Sequence, residues 1–133
     1  MGTTTFSGPV RSENGFNDIT KSATGTITTN AVYGKSIRGG VQQLSGAGAV
    51  DLDNLITELT TTGANALTLA DGTTSGQVKI ITMIVDGGDG TLTPTTFANG
   101  TTVTFDAVAE SVTLVWNSAI GWVATSVQGA TIA

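Results

Sequence analysis

Gln77-Val-Lys-Ile-Ile-Thr-Met-Ile-Val85 is the most apolar stretch of the chain. In an extended strand Val78, Ile80 and Ile84 point one way, and Ile81, Met83 and Val85 the other. A strand that is apolar on both faces is central. It is covered once by its own core and again by something else: an arm, another sheet or a neighbouring subunit. Asp86-Gly87-Gly88-Asp89-Gly90 ends it in a loop.

Short strands extend outward from this segment on both sides. Gly63-Ala64-Asn65 turns the chain into Ala66–Leu69, with Leu67 and Leu69 on one face, and Asp71-Gly72 turns it again. Leu52, Leu55, Ile56 and Leu59 also match a helical template. That run is barely two turns, however, and it enters β-branched Thr60-Thr61-Thr62, so a strand is expected over 55–61. Downstream, Pro94 assigns Thr91–Phe97 to a sheet edge, because proline cannot donate a ladder hydrogen bond. Asn99-Gly100 is a type I′ hairpin signal. Val103 and Phe105 face inward, with Thr102 and Thr104 outward. Ser111–Asn117 and Gly121–Ser126 form a hairpin around Ser118-Ala119-Ile120. Val112, Leu114 and Trp116 share one face of it, and Trp116 packs near Trp122. Threonine, about one residue in five, fills the outer faces of the sheets. The expected fold is all-β: a small antiparallel sandwich or barrel.

The first 45 residues read differently. Gly8-Pro9 and Asn14-Gly15 are turn signals, and Phe6, Val10, Phe16 and Ile19 are isolated apolar side chains. Short strands are possible at Val32-Tyr33 and Val41. The Ser45-Gly46-Ala47-Gly48 stretch looks like a flexible joint. The expected division is an extended N-terminal arm over 1–45 and a β body over 46–133. Charge divides similarly. Arg11, Lys21, Lys35 and Arg38 oppose Glu13 and Asp18 in the first 38 residues, a net +2. Beyond them Lys79 is the one base against eight acids, a net −7. At 133 residues the chain suits one small-cored domain, for which oligomerisation supplies missing burial.

Chemistry is constrained by what the composition lacks. Without His or Cys there is no Ser-His-Asp or Cys-His arrangement, no disulfide and no thiolate metal site. Asp86 with Asp89, and Asp51 with Asp53, lie in polar or Gly-rich turns, where aspartate bonds its own backbone. Asp-Gly-Gly-Asp-Gly-Thr lacks the alternate carboxylates and terminal Glu of an EF-hand loop. No enzyme activity, cofactor or metal is expected. The four N-terminal bases are spread too widely for a nucleic-acid patch. No apolar run approaches the ~20 residues that span a bilayer. The N-terminus lacks the basic and apolar regions of a secretory signal.

Leu59-Thr-Thr-Thr-Gly-Ala-Asn-Ala-Leu-Thr-Leu-Ala-Asp-Gly72, Gly76-Gln-Val-Lys79, Asp89-Gly-Thr-Leu-Thr-Pro94, and Val112-Thr-Leu-Val-Trp116 with Gly121-Trp122-Val123 resemble small β-rich structural proteins of tailed bacteriophages. These are capsid decoration (cement) proteins and related head or tail fibre proteins, of the marine and cyanophage type. Thr5-Phe-Ser-Gly-Pro-Val-Arg-Ser-Glu-Asn-Gly-Phe16 resembles the start of such virion proteins. The resemblance implies a homotrimer on the outer capsid surface that binds the major capsid protein and bridges coat subunits. In that picture Phe6, Val10, Phe16 and Ile19 are arm anchors, with Arg11 as an electrostatic helper. The alternative is a tail fibre or baseplate adhesin domain, with Trp122 and Tyr33 stacking on a host surface glycan.

Overall fold

A computed structural model describes residues 39–133 and the backbone of two short strands before them. It divides the chain into Met1–Ile37 and Arg38–Ala133. In the first unit, β1 (Ile19–Lys21) pairs antiparallel with β2 (Ile27–Thr29), and Ile19 lies opposite Thr29.

The second unit is built from pairs of consecutive strands that step between two sheets. β3 (Val41–Ser45), β5 (Ile56–Thr60) and β7 (Val78–Val85) lie parallel in one sheet. β4 (Gly48–Val50), β6 (Asn65–Leu69) and β8 (Gly90–Pro94) lie parallel in the other. Antiparallel strands complete each sheet. β10 (Ser111–Asn117) and β11 (Gly121–Gln128) extend the first beyond β7. β9 (Val103–Phe105) and β12 (Thr131–Ile132) extend the second beyond β8. The orders are β11-β10-β7-β5-β3 and β12-β9-β8-β6-β4.

The fold is therefore all-β, with no helix among the described residues. It differs from the expected antiparallel sandwich or barrel in two ways. Both sheets are mixed, and neither closes into a barrel. From β3 to β8 consecutive strands leave for the opposite sheet instead of turning back, so equivalent strands stack in parallel, as the coils of a solenoid do.

Period-2 alternation sets the core. Leu59, Ile81, Met83, Val112, Leu114, Trp116 and Trp122 come from the first sheet. Val50, Leu67, Leu69, Leu92, Val103 and Phe105 come from the second, and all belong to one buried cluster. As expected, β5 is a strand, and β7 is the middle strand of its sheet. The 118–120 turn closes a hairpin, with Gly121 at φ +93° supplying its left-handed residue.

Three local expectations differ. Asn99-Gly100 is not a type I′ turn: positive φ occurs at neither residue, and Gly100 packs against the Ala133 carbonyl. Pro94 lies in a strand that is central in its sheet. It is tolerated there because the Thr95 amide already turns to the Leu69 carbonyl, 2.9 Å away. The nitrogen of Pro94 thus faces the β9 side, where pairing has ended at Leu92 and Val103. Finally, Val41–Ser45, read as part of the arm, is an edge strand of the first sheet, and 46–47 is a tight corner. Gly46, at φ +76°, donates there to the Thr60 carbonyl at 2.9 Å.

The corners repeat this ladder. Thr61 donates to Val85 at 3.0 Å and Asn65 to Asp89 at 2.8 Å. Gly88 has φ +136°, and a Cβ there would lie 2.7 Å from the Gly63 carbonyl carbon. Gly76, also left-handed at φ +92°, has open space around it. Gly88→Ala is therefore expected to cost about 2–3 kcal/mol and Gly76→Ala only about 1 kcal/mol, measured by urea unfolding. Equal losses would show that the close stacking of the two corners carries no energy.

Candidate functional site

Of the arm positions read from the sequence, Phe6, Val10, Arg11 and Phe16 lie outside the described residues. Ile19 is described only as the first residue of β1.

The carboxylates of the body serve its turns. Asp51 Oδ1 accepts from the amides of Asp53 at 3.1 Å and Asn54 at 2.8 Å. Asp86 Oδ1 accepts from the Gly88 amide at 2.9 Å. Glu110 Oε2 accepts from the Asp106 amide at 2.7 Å. Asp89 lines a shallow depression with Ala64, Asn65, Ala66 and Thr91. No group of three or more metal-ligating side chains occurs among the described residues.

Sequence reasoning missed an ion pair inside the body. Lys79 is 0% exposed, at an inward position of β7 beside Ile81 and Met83. Its Nζ donates to the Asn54 carbonyl and lies 3.6 Å from Asp51 Oδ1. Asn54 Nδ2 donates to Asp51 Oδ2 at 2.8 Å, which orients the carboxylate. The central strand thereby holds the corner that returns the chain from β4 to β5. Gln42 supports the same corner, accepting at 3.0 Å from both the Asp51 amide and the Thr57 hydroxyl. The signal was present in the alternation, since Lys79 falls in phase with Ile81 and Met83.

Burial lowers the pKa of Lys79, and the charge of Asp51 opposes that shift without cancelling it. Burial acts to raise the pKa of Asp51. The hydrogen bonds from Asn54 and the charge of Lys79 outweigh it, so the net direction is down.

Trp122 is also 0% exposed. Its Nε1 donates to the Ala70 carbonyl at 2.9 Å. Its ring meets Trp116 edge-on, with centroids 5.4 Å apart. It is a core residue and cannot stack on a glycan. Tyr33 lies outside the described residues.

The two outer faces of the body differ in chemistry. On the second sheet Ala49, Thr68 and Thr93 form one cross-strand row, and Ala66, Thr91, Thr104 and Thr131 another. On the first sheet Val41, Ile56 and Ile80 lie in register, as do Val78, Val115 and Val123. The next row carries Gln43, Glu58, Thr82, Ser111 and Gln128. The Gln43 amide donates to Glu58 there.

No protein-family model matches this chain, and no curated protein is significantly similar to it.

The buried pair predicts a pH dependence. The unfolded chain holds a proton on Lys79 up to about its ordinary 10.5, while the folded chain releases it earlier. Unfolding therefore takes up protons in that interval, and the contribution of Lys79 to stability increases with pH there. Asp51 adds stability above its ordinary value, which is lost as pH falls through its lowered folded value. Thermal unfolding of wild type and Lys79→Met from acid to alkaline pH checks this. Wild type should gain on the variant as pH rises toward 10. Asp51→Ala, which leaves the amine buried without its countercharge, should cost about 2–3 kcal/mol, discounted for the partial exposure of the carboxylate.

Proposed function

We propose that this chain is a virion structural protein: a capsid decoration, or cement, protein that binds the outside of a phage head and bridges coat subunits. The proposal extends to the homotrimer and the major capsid protein partner that the resemblance implies. One observation carries it beyond the resemblance. Residues 39–133 enclose an apolar core and bury their one cation, whereas Arg11, Lys21 and Lys35 with Phe6, Val10, Phe16 and Ile19 belong to the separate unit Met1–Ile37. A self-contained body with a segment of opposite charge before it suits attachment to a scaffold. The segment would anchor by apolar burial and β-augmentation. Several such segments on one oligomer would raise the effective concentration of weak contacts.

Mass spectrometry of purified virions, with cross-linking to the coat protein, tests this reading. Cross-links from residues 1–38 to coat protein are expected, and absence of the chain from particles refutes it. Removing residues 1–22 should leave thermal unfolding of the body unchanged, because every core residue among the described residues lies beyond them. The same deletion should abolish addition to shells.

A further inference from the structure

Lys79, Asp51 and Asn54 stand together at the corner between β4 and β5, and we infer that they form a covalent link on their own: an amide bond between Lys79 Nζ and Asn54 Cγ, with Asp51 carrying the proton.

Such a link requires an amine nucleophile, an amide electrophile and an acid–base group that reaches both. Lys79 is the amine. It is fully buried and is the one lysine of residues 39–133. Its Nζ donates to the Asn54 main-chain carbonyl, so it already rests against the residue whose side chain it attacks. Asp51 reaches both partners, with Oδ1 3.6 Å from Nζ and Oδ2 accepting from Asn54 Nδ2 at 2.8 Å. The amides of Asp53 and Asn54 fix that carboxylate in turn. Gly40 closes another side of Asn54, since a Cβ there would overlap Asn54 Oδ1. The carboxamide is thus held between a glycine backbone and the carboxylate. The flexible stem of the lysine then carries Nζ from the main-chain carbonyl to Cγ of the same residue.

A lysine attacks only as the neutral amine. Burial lowers the pKa of Lys79, which enlarges its neutral fraction. Asp51 is shifted down and stays a carboxylate that can accept a proton. The bonds balance. Nζ adds to Cγ, and the new Nζ–Cγ bond replaces the Cγ–Nδ2 bond. Asp51 takes the proton that Nζ loses and gives it to Nδ2, which leaves as ammonia. The reaction consumes no oxidant and no second reactant.

The site favours the product. The ion pair keeps the charge of Lys79 out of water, whereas an amide there is neutral. Asp51, 32% exposed, keeps its own charge toward solvent. The bond would join residues 25 apart and so restrain the unfolded chain, as a disulfide does. The chain has no cysteine with which to make one. The proton uptake of the buried pair belongs to the unlinked chain, because the linked nitrogen no longer titrates as an amine.

Intact mass and a tryptic digest of the full chain, stored folded and then unfolded in denaturant, test this. The linked chain is lighter by one ammonia. Lys79 is the one tryptic site after Arg38. The unlinked chain therefore yields fragments 39–79 and 80–133, while the linked chain keeps 39–133 whole, because trypsin does not cut at an acylated lysine. Wild type should show both signs, and Asn54→Ala should show neither. Asp51→Asn, which keeps the shape but cannot carry the proton, should link about a hundredfold more slowly. Circular dichroism verifies that the variants are folded. Wild type of full mass that is cut at Lys79 overturns the link. A deficit of one water also overturns it, by placing the bond on a carboxylate, as does an ammonia deficit that persists in Asn54→Ala. Linkage at the wild-type rate in Asp51→Asn overturns the role of Asp51. None of these readouts involves a phage particle, so the link and the proposed function stand or fall independently.

Discussion

A lysine amine in the apolar interior must be paired, and the body depends on how Lys79 meets that demand. The residue occupies the middle strand of the first sheet, in phase with the core positions. Its amine finds the Asn54 carbonyl and the Asp51 carboxylate at the corner between β4 and β5. That corner brings the chain back from the second sheet to the first, so the ion pair ties a crossing to the core. Asp51 simultaneously caps the amides of Asp53 and Asn54. Taking both charges out of water costs as much as or more than their attraction returns, so the pair is a weak source of net stability. Its contribution is geometric: the amine is satisfied where the corner places the Asn54 carbonyl and the Asp51 carboxylate.

With that crossing fixed, the parallel stack follows. Strands that step to the opposite sheet return one position further along, which places β3, β5 and β7 side by side and β4, β6 and β8 likewise. Backbone amides continue the ladder into the corners, from Gly46 to Thr60 and from Thr61 to Val85. Corners stacked this closely leave no room for a side chain at Gly87, which meets the backbone of Thr61 and Thr62, or at Gly88, which meets that of Gly63. Thr61, 2% exposed, fills the remaining polar need, accepting from the Gly87 amide at 2.9 Å. The antiparallel β10–β11 pair continues the first sheet beyond β7, and β9 continues the second beyond β8.

The strands, their inward faces and the central place of β7 were legible because each rests on local alternation. Leu67 with Leu69, Val103 with Phe105, and Val112 with Leu114 and Trp116 show period 2 without ambiguity. Direction of pairing was not legible. Gly87-Gly88 and Ser45-Gly46-Ala47-Gly48 look the same whether the chain reverses within a sheet or crosses to another, because glycine permits both. Asn99-Gly100 misled for a related reason: the dipeptide is compatible with a tight hairpin, but β8 and β9 pair from Gly90 and Phe105 inward and leave a longer connection. Pro94 misled because its cost depends on which side its nitrogen faces. Lys79 was legible in position but not in partner, since Asn54 and Asp51 are brought to it by the crossing. For the proposed anchor residues the sequence remains the whole source, as Phe6, Val10, Arg11 and Phe16 fall outside the described residues.

The same alternation separates the side chains that close the core from those that stay outside it. Its interior is complete: the apolar cluster draws on both sheets, and no buried side-chain polar atom among the described residues lacks a hydrogen bond. Selection for folding alone places no requirement on the outer rows, since either threonine or valine suits a strand. Yet the rows differ, with hydroxyls and small side chains outside the second sheet and aliphatic ones outside the first. Outside the first sheet the Val41–Ile56–Ile80 row runs on into Thr113 and Ser126, so even that face combines aliphatic and hydroxyl side chains.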